Sequence, residues 1–375
     1  MAKLGELYKI TSGGTPSRTH SEYYEDGTIP WVKTGDLKDK YLFETDEKIS
    51  QLGLENSSAR IYSKNTVLLA MYGATIGATS ILKIDAATNQ ACAAFSPRED
   101  VLPEYLYAFL ESQKDKFIKD AVGGAQPNLS AGYLKNIDFD YPPLEQQTKI
   151  TNTLNKIDEL LLLRKQQLAK LDELVKARFV EMFLLHDYPT KTLDELSIGK
   201  GEYGAQSAST EYDSTRPRYI RITDVNEDGT LNDDKVSSEN ITDDEQYRLS
   251  YGDFMFARMG ATVGKTYAFL SGNQIFAGYL IRYKLNLSLA NPRYLFWYTK
   301  LDDYQKWVKL NQSGAAQPGI NAKKYGSLKI PVPPIALQNQ FAAFVERVDQ
   351  QKQTVQQSLE KLELMKKALM QEYFG

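Results

Sequence analysis

Residues 142–182 have the sequence PPLEQQTKITNTLNKIDELLLLRKQQLAKLDELVKARFVEM, and residues 333–373 follow the same plan as PPIALQNQFAAFVERVDQQKQTVQQSLEKLELMKKALMQEY. The two stretches lie 191 positions apart. After each Pro-Pro pair, apolar side chains recur at alternating steps of four and three, which is typical of a long helix that begins behind an extended segment. The chain is therefore predicted to contain two long, related helices.

The apolar positions of these helices form a seam suited to helix–helix packing. They are Ile150, Leu154, Ile157, Leu161, Leu168, Leu171 and Val175 in the first helix, and Phe341, Val345, Val348, Val355, Leu359, Leu362 and Leu369 in the second. Basic residues interrupt the two seams at different positions, Arg164 and Arg178 in the first and Lys352 and Lys366 in the second. This offset favours pairing between the two helices over pairing of each helix with its own copy. We predict an antiparallel intramolecular coiled coil.

The repeat continues into the segments that precede the helices, with offsets that drift as loops of different length require. The segment from Trp31 resembles that from Tyr219 at an offset of 188, and Gly73-Ala74-Thr75 resembles Gly260-Ala261-Thr262 at 187. The pair Asn89-Gln90 is matched with Asn273-Gln274 at 184. A shared plan with different loops predicts two similar α+β domains that recognise different targets.

The predicted boundaries are a first domain at 1–143, a first helix at 144–186, a second domain at 187–334 and a second helix at 335–375. The segment that follows the first helix, Lys191–Leu196, resembles the start of the chain, Lys3–Leu7. The repeat is therefore nearly circular, since the end of the second helix would be followed by the same motif if the chain were closed. Two domains separated by the helices should therefore be related by a pseudo-twofold axis. Strands are predicted at Val67–Ala70, Tyr219–Ile222, Asp253–Ala257 and Tyr279–Tyr283, and domain helices at Pro103–Lys119 and Asn291–Leu310.

Composition limits the class of protein. With 25% charged and 42% hydrophobic residues, the chain is that of an ordinary soluble protein, and no apolar run is long enough to span a membrane. The segment from Met1 to Ile10 lacks the apolar core of a signal peptide. The single cysteine, Cys92, excludes an internal disulfide and is interpreted as a buried small residue. These features predict a cytoplasmic protein.

Motifs for catalysis are missing from the sequence. The two histidines, His20 and His186, lie in unlike contexts, so neither a metal cluster nor a Ser/His/Asp arrangement can be built on a repeated element. Glycine pairs occur without a nucleotide-binding pattern. The segment Asp138–Pro143 has its aromatic residue before the prolines, which is the wrong order for the acidic Pro-Pro-aromatic loop of amino-methyltransferases. We therefore expect no catalysis by this chain alone, and predict neither a metal nor a cofactor site.

Taken together, the motifs resemble the specificity (S) subunit of type I restriction-modification systems. The resemblance rests on Leu4–Leu7, Gly13–Ser17, Gly73–Gly77 and the Gln126–Gln146 run, in this order and with much of the pattern duplicated. It implies two target-recognition domains that bind a bipartite, asymmetric site in double-stranded DNA. It also implies two methyltransferase (M) subunits that methylate adenine, and restriction (R) subunits in the full complex, with S-adenosylmethionine and ATP/Mg held by those partners.

Basic side chains that bind phosphate and amides that can pair with adenine are the candidate DNA contacts. They are Arg18, Lys33, Lys64, Lys83, Asn89, Gln90 and Gln126 in the first half, and Arg216, Arg218, Arg221, Arg258, Lys265, Asn273, Gln274 and Gln317 in the second. Each basic residue could equally be an ordinary solvated charge. Since the net charge is −3, we expect weak DNA binding by the chain alone and tight binding in a complex with M subunits.

Two interpretations remain open for the Gly-Ala-Thr turns. Their glycines could let the backbone approach DNA, with Thr75 or Thr262 as a donor, or the turns could simply connect two strands. An alternative also remains for the whole chain, namely a coiled-coil scaffold or adaptor without DNA sequence specificity. The 24 tyrosines of the chain make this alternative less attractive.

Overall fold

The computed structural model describes residues 2–121, 128–313 and 318–375. The chain forms two compact units: unit 1 comprises Met1–Lys165 with Gln357–Gly375, and unit 2 comprises Gln166–Gln356. Each unit therefore contains a globular part and one segment of each long helix. Sheets and helices occur together, in agreement with the predicted α+β class. Within the described residues, no helix has both the length and the apolar character needed to cross a bilayer.

The strands of unit 1 are short and form two main sheets. They are β1 (Ala2–Lys3), β2 (Thr11–Ser12), β3 (Ile29–Val32), β4 (Tyr41–Leu42), β5 (Glu47–Ile49), β6 (Ile61–Tyr62), β7 (Val67–Ala70), β8 (Thr79–Leu82), β9 (Ala86–Thr88), β10 (Cys92–Phe95) and β11 (Asp138–Phe139). One sheet has the order β2-β10-β7-β8-β4 and the other β5-β3-β9-β6. β3 and β9 run parallel, with Trp31 opposite Ala87.

Most helices of unit 1 pack against the first sheet, whereas the helix that contains Leu54 packs beside Trp31 and Ile49 of the second sheet. They are α1 (Leu4–Leu7), α2 (Gln51–Glu55), α3 (Pro103–Ser112), α4 (Lys114–Asp120), α5 (Ala131–Lys135) and the first part of α6 (Leu144–Phe179). The predicted helix Pro103–Lys119 is therefore two helices. The break follows Ser112, whose hydroxyl donates to the Phe109 carbonyl at 2.6 Å and competes with the helical backbone bonds there.

The strands of unit 2 repeat this plan with shorter sheets. They are β12 (Thr190–Thr192), β13 (Glu202–Tyr203), β14 (Ser209–Glu211), β15 (Arg218–Ile220), β16 (Val236–Ser238), β17 (Asp253–Ala257), β18 (Thr266–Ala268), β19 (Gln274–Phe276), β20 (Leu280–Lys284) and β21 (Lys329–Pro331). The largest sheet has the order β13-β20-β17-β18. β15 and β19 run parallel, with Tyr219 opposite Ile275, as β3 and β9 do in unit 1.

The strand predictions hold at β7 and β17, and β20 lies one residue later than predicted. The predicted strand Tyr219–Ile222 is wrong at its end, because the chain turns into a 3₁₀ helix at Ile222–Asp224. The cause is the Asp224 carboxylate, which accepts the backbone N–H of Arg221 at 2.8 Å and draws the chain into the turn.

The remaining helices of unit 2 are α7 (Asp243–Gln246), α8 (Pro292–Tyr298), α9 (Asp302–Asn311), α10 (Ala322–Gly326) and the first part of α11 (Ile335–Phe374). The predicted helix Asn291–Leu310 is divided into α8 and α9. Thr299 lies at the break, where its hydroxyl donates to the Phe296 carbonyl at 2.7 Å and lies 2.7 Å from the hydroxyl of Thr266 on β18. Leu301 then starts α9 with an extended backbone.

The two long helices contact each other within each unit. In unit 1, the Asp158 carboxylate pairs with the Lys366 ammonium at 2.5 Å, and Arg164 Nε donates to Ser358 Oγ at 3.2 Å. As the residue number rises along α6 it falls along α11, so the segments run antiparallel. In unit 2, Asp172 pairs with Lys352 at 2.6 Å. In the same unit, the Phe179 ring contacts the Phe341 ring, again with antiparallel order.

Burial along the helices follows the predicted seam. The fully buried members are Ile150, Leu154, Ile157 and Val175 on α6, and Phe341, Val345, Val348, Val355 and Leu359 on α11. The others are half-buried: Leu161, Leu168, Leu171, Leu362 and Leu369. The seam is thus most buried near the two ends of α6 and from Phe341 to Leu359 on α11, and least buried midway along α6, at Leu161 and Leu168.

Candidate nucleic-acid interface

The Gly-Ala-Thr segments form the same tight turn in both units. Each is a 3₁₀ turn between two antiparallel strands, at Gly73–Thr75 between β7 and β8 and at Gly260–Thr262 between β17 and β18. The Thr75 and Thr262 hydroxyls donate to backbone carbonyls three residues earlier, at 3.2 and 3.3 Å. Both threonines therefore have a structural partner, as the strand-connection interpretation requires.

The glycines of these turns divide into two kinds. Gly77 and Gly264 have φ values of +81° and +88°, and a β-carbon there would press on Lys114 or Val308 of a covering helix. Gly73 and Gly260 also have positive φ, but a β-carbon there would meet no heavy atom within 4 Å. The second glycine of each turn is thus required by packing, whereas the first points towards open space where another backbone could approach.

The predicted match between the two Asn-Gln pairs is wrong. The backbone N–H of Asn89 donates to the carbonyl of Val32 on β3, and in unit 2 the equivalent bond joins Ala277 to Ile220 on β15. The parallel strand pairs therefore align Asn89-Gln90 with Ala277-Gly278 at an offset of 188. The similarity to Asn273-Gln274 is a coincidence of residue type, because strand register sets the equivalence.

The four amide side chains have partners inside their own units. Asn89 Oδ1 accepts the N–H of Ala91 at 3.0 Å, and the Thr15 hydroxyl donates to Gln90 Oε1 at 2.6 Å. In unit 2, Arg248 donates to Asn273 Oδ1 at 2.5 Å, and the Tyr267 hydroxyl donates to Gln274 Oε1 at 2.8 Å. Gln90 and Asn273 are exposed, whereas Asn89 and Gln274 are partly buried. Gln126 and Gln317 lie outside the described residues.

The predicted basic residues of unit 1 are mostly engaged. Arg18 and Lys33 both contact the Glu47 carboxylate at 2.5 Å, and together they hold the pKa of Glu47 below its usual value. Lys83 lies 3.4 Å from Glu104 and 4.5 Å from the centre of a tyrosine ring. Lys64 is exposed, and within the described chain its ammonium has no carboxylate within 4 Å.

The predicted basic residues of unit 2 are engaged still more tightly. Arg216 binds Asp244 through two nitrogens, at 2.7 and 2.9 Å. Arg218 is only 9% exposed and donates to Asn232 at 3.0 Å, so it supports the fold and is not available at the surface. Lys265 pairs with Glu227 at 2.8 Å beside a groove of about 410 Å³.

Arg221 is held by two carboxylates at the end of β15. Its Nε and Nη2 donate to Asp224, and Nη2 also donates to Asp234 at 2.7 Å. These hydrogen bonds raise the pKa of Arg221 above its ordinary value, so the guanidinium remains charged. Because two carboxylates balance one guanidinium, this position has little net attraction for a phosphate.

Arg258 differs from these residues. Its guanidinium lies 4.8 Å from the centre of the Tyr203 ring, and the described residues place no carboxylate within 4 Å of it. It immediately precedes the Gly260 turn, and its backbone N–H donates to the carbonyl of Tyr279, an exposed residue. Arg258 and Tyr203 therefore form a surface cluster with one unneutralised positive charge and one aromatic ring, and the backbone of exposed Tyr279 lies next to it. Such a cluster suits contact with nucleic acid.

A groove of about 430 Å³ lies beside this cluster at the carboxyl ends of the parallel strands β15 and β19. We call it the unit 2 groove. Its lining includes Ala205, Gln206, Tyr219, Arg221, Gly278 and Tyr279. The volume falls in the roughly 300–1,000 Å³ range of small-molecule sites, and the carboxyl end of parallel strands is a common location for them.

Sequence reasoning found Arg221 and Arg258 but missed their neighbours Tyr203, Gln206 and Tyr279. The available signal was a nearby glycine: Gly204 follows Tyr203 and lies two residues before Gln206, and Gly278 precedes Tyr279. A β-carbon at Gly204 would lie 2.4 Å from the carbonyl oxygens of Phe276 and Ala277, which shows that two backbones meet closely there. Close backbone approach between segments about 70 residues apart marks a site that periodicity alone does not reveal.

Comparison with known proteins identifies a family. The model of the type I restriction modification DNA specificity domain matches residues 1–173 and 186–364. The chain belongs to this family. The specificity subunit of the MjaIX type I restriction enzyme from Methanocaldococcus jannaschii is 31% identical over 48% of the chain. That alignment spans only 43% of the relative's own length, so the chain covers less than half of it.

Solved structures of the family share the fold. The S subunit of a type I restriction-modification system from M. genitalium matches with a TM-score of 0.59 at 15% identity, covering 100% of this chain and 95% of that one. A structure described as showing complex assembly and conformational transition of the type I R-M system matches with a TM-score of 0.65 at 17% identity, covering 100% and 96%. At these identities the likeness establishes the fold of a specificity subunit and no residue roles.

Proposed function

We propose that this chain is the DNA-sequence-reading subunit of a type I restriction-modification complex. It would recognise a bipartite, asymmetric site and direct adenine methylation and restriction by separate subunits. The observation that carries this proposal is the duplicated family match, since the DNA specificity domain occurs once in each half of the chain. Two similar domains with different surface residues would bind two different half-sites.

An asymmetric site is supported by differences at equivalent positions of the two units. Arg258 in unit 2 corresponds to Met71 in unit 1, because the backbone N–H of each donates to the carbonyl of an equivalent residue, Tyr279 or Ala91. Met71 is buried, whereas Arg258 is partly exposed beside two tyrosines. A charged contact available in only one domain would distinguish the two half-sites.

The long helices would hold the two target-recognition domains at a fixed distance. The antiparallel contacts seen within each unit, Asp158 with Lys366 and Asp172 with Lys352, support an intramolecular coiled coil. The domain boundaries of this proposal are those predicted from the sequence, at 143, 186 and 334. A pseudo-twofold arrangement would then present the two domains to successive segments of one DNA duplex.

Chemistry in this complex would be carried by the partners. Two M subunits would bind S-adenosylmethionine and methylate the DNA, and R subunits would use ATP and Mg²⁺. The chain itself would bind DNA without catalysis. Its net charge of −3 and its many internally paired cations favour weak DNA binding alone, so M subunits would complete the positive surface around the duplex.

The test is to co-express the chain with the M subunits of its own host and sequence the methylated DNA of the expressing cells. A single bipartite, asymmetric motif with methylated adenines is the expected result. A complex that assembles but methylates without sequence preference would favour the scaffold or adaptor alternative. Methylation by the chain without partners would overturn the non-catalytic role.

A further inference from the structure

The backbone frame of the unit 2 groove has an equivalent in unit 1, which the hydrogen bonds of the two units identify. The N–H of Gly14 donates to the carbonyl of Thr88 on β9, as the N–H of Ala205 donates to Phe276 on β19. The residue after each donor is Thr15 in unit 1 and Gln206 in unit 2. We call the positions equivalent to the unit 2 groove, which are held by Gly14, Thr15, Lys33 and Gln90, the unit 1 groove.

Each groove contains one cation and one exposed amide, but the amide comes from a different segment. In unit 2 the cation is Arg221 and the amide is Gln206. In unit 1 the equivalent of Arg221 is Lys33, and the amide is Gln90, which occupies the position of Gly278. The same backbone frame thus carries its amide on a different segment in each unit.

The cations of both grooves are neutralised by carboxylates. Lys33 contacts Glu47 at 2.5 Å, and Arg221 contacts Asp224 and Asp234 at 2.7 Å. The hydrogen bonds of Arg221 use Nε and Nη2, and no described residue accepts from Nη1. A neutralised guanidinium with one open edge is a poor phosphate ligand, but it can still donate to a neutral acceptor such as a base edge.

The amide of Gln206 is oriented by the fold. Its Nε2 donates to the Gly204 carbonyl at 3.1 Å, and no described residue donates to its Oε1. In unit 1, the Thr15 hydroxyl donates to Gln90 Oε1, and this bond leaves Nε2 as the open group. Among the described residues, the amide group left without a partner is thus the acceptor oxygen of Gln206 in unit 2 and the donor nitrogen of Gln90 in unit 1.

We propose that each groove binds the edge of one DNA base pair, and that Gln206 and Gln90 are specificity-determining residues for different half-sites. This inference rests on the proposed function and deepens it. The open Oε1 of Gln206 would accept from an exocyclic amino group, and the open Nε2 of Gln90 would donate to a base acceptor. Exposed Tyr279 would cover the unit 2 groove and exclude water from the contact.

The test uses the complex of the full chain with the M subunits of its host and maps the methylated motif for each variant. Gln206→Ala should relax recognition at one base pair of one half-site, with discrimination falling roughly 5- to 150-fold. Gln90→Ala should relax one base pair of the other half-site. In each variant the untouched half-site stays fully specific and shows that the chain is folded.

A second variant displaces Gln206 without removing it. A β-carbon at Gly278 would lie 2.0 Å from Gln206 Nε2, the mobile end of a side chain. Gly278→Ala should therefore relax the same base pair as Gln206→Ala. The matched controls are Gln246→Ala and Gln51→Ala, which remove exposed amides outside the grooves of units 2 and 1 and should leave the motif unchanged.

The outcomes separate this inference from the proposed function. A native complex without any sequence motif would overturn the proposed function and this inference with it. A native bipartite motif that stays unchanged in Gln206→Ala, Gly278→Ala and Gln90→Ala would overturn the inference alone. Equal loss at both half-sites, or the same loss in the control variants, would also overturn it, because a general weakening is not base recognition.

Discussion

The ring of Phe374, in the last turn of α11, lies 5.3 Å from the ring of Tyr105 on α3 in unit 1. In unit 2, the ring of Phe183 lies 4.9 Å from that of Tyr294 on α8. Phe183 and Phe374 are 191 positions apart in the sequence, and the two tyrosines are 189 apart. The end of each long helix therefore completes the core of one unit, and the near-circular repeat in the sequence has a physical counterpart within each unit.

Truncating these phenylalanines should destabilise one unit at a time. Phe183 is 3% exposed, so Phe183→Ala should lower the free energy of unfolding of unit 2 by about 3–5 kcal/mol. Phe374 is only partly buried, and Phe374→Ala should cost unit 1 about 1–3 kcal/mol. Hydrogen–deuterium exchange in urea, followed peptide by peptide, measures the two units separately. Leu184→Ala, at a side chain that is 48% exposed, is the control. Equal loss in both units would contradict the assignment.

The long helices could be predicted because their signal is local. A heptad pattern repeats within the segment that folds, and the Pro-Pro pairs mark where α6 and α11 begin. The end of the first helix was harder to predict. The segment Val180–Leu184 forms a π-helix, since Phe183 turns inward to pack on Tyr294 and Phe341. That contact depends on residues more than 100 positions away.

The groove could not be predicted, because its geometry comes from long-range strand pairing. Residue identity suggested that Asn89 and Asn273 are equivalent, but β3–β9 and β15–β19 pairing aligns Asn89 with Ala277. The partners of the basic residues were hidden for the same reason. Asp234 lies 13 positions beyond Arg221 in a loop, and no periodicity connects them. Sequence patterns located the cations, and only the fold showed that most are neutralised.

The ion pair between Asp158 and Lys366 should contribute modestly to pairing of the helices in unit 1. Both side chains are about 40% exposed, so we expect a coupling energy of about 0.5–1 kcal/mol. Lys366→Asp would place two carboxylates together and lower stability, and adding Asp158→Lys should restore it. A double-mutant cycle by urea denaturation measures the coupling. The pair Asp172–Lys352 in unit 2 is the matched comparison.

High salt should reduce this coupling, because ions screen exposed charges. If the charge-reversed double variant is no more stable than the worse single variant, the contact between Asp158 and Lys366 contributes nothing to helix pairing in unit 1.

Replacing Arg258 should weaken recognition of one half-site. Its guanidinium has no carboxylate partner within the described chain and lies beside the open Gly260 turn. Arg258→Ala should cost about 1–3 kcal/mol in binding of one half-site and leave the other intact. Binding of the assembled complex to DNA with single-half-site substitutions measures this. Arg258→Met, which installs the residue found at the equivalent Met71, tests the charge while keeping an apolar stem over Tyr203.

The salt dependence of DNA binding by the assembled complex shows whether Arg258 contacts a phosphate or a base. A phosphate contact predicts that the slope of log affinity against log salt falls by about 0.9 in Arg258→Ala. A base contact predicts loss at one base pair with a smaller change in slope. Unchanged affinity for both half-sites would return Arg258 to the class of ordinary solvated charges.

Lengthening both helices should lengthen the non-specific spacer between the half-sites. Arg164 Nε donates to Ser358 Oγ, so insertions after Arg164 and after Ser358 lie at facing positions of α6 and α11. Four added residues extend each helix by ~6 Å, close to two base pairs at ~3.4 Å each. Seven added residues preserve the heptad seam and add ~10.5 Å, close to three base pairs.

Methylome sequencing of cells that carry each variant complex gives the spacer directly. We expect the half-site sequences to stay the same while the spacer grows by one or two base pairs for the four-residue insertion and by about three for the seven-residue insertion. The control inserts four residues in α6 alone, which shifts Leu168 and Leu171 against α11 and should abolish methylation by breaking the seam. A constant spacer in a lengthened complex that still methylates would mean that the partner subunits, and not the helices, set the distance between the domains.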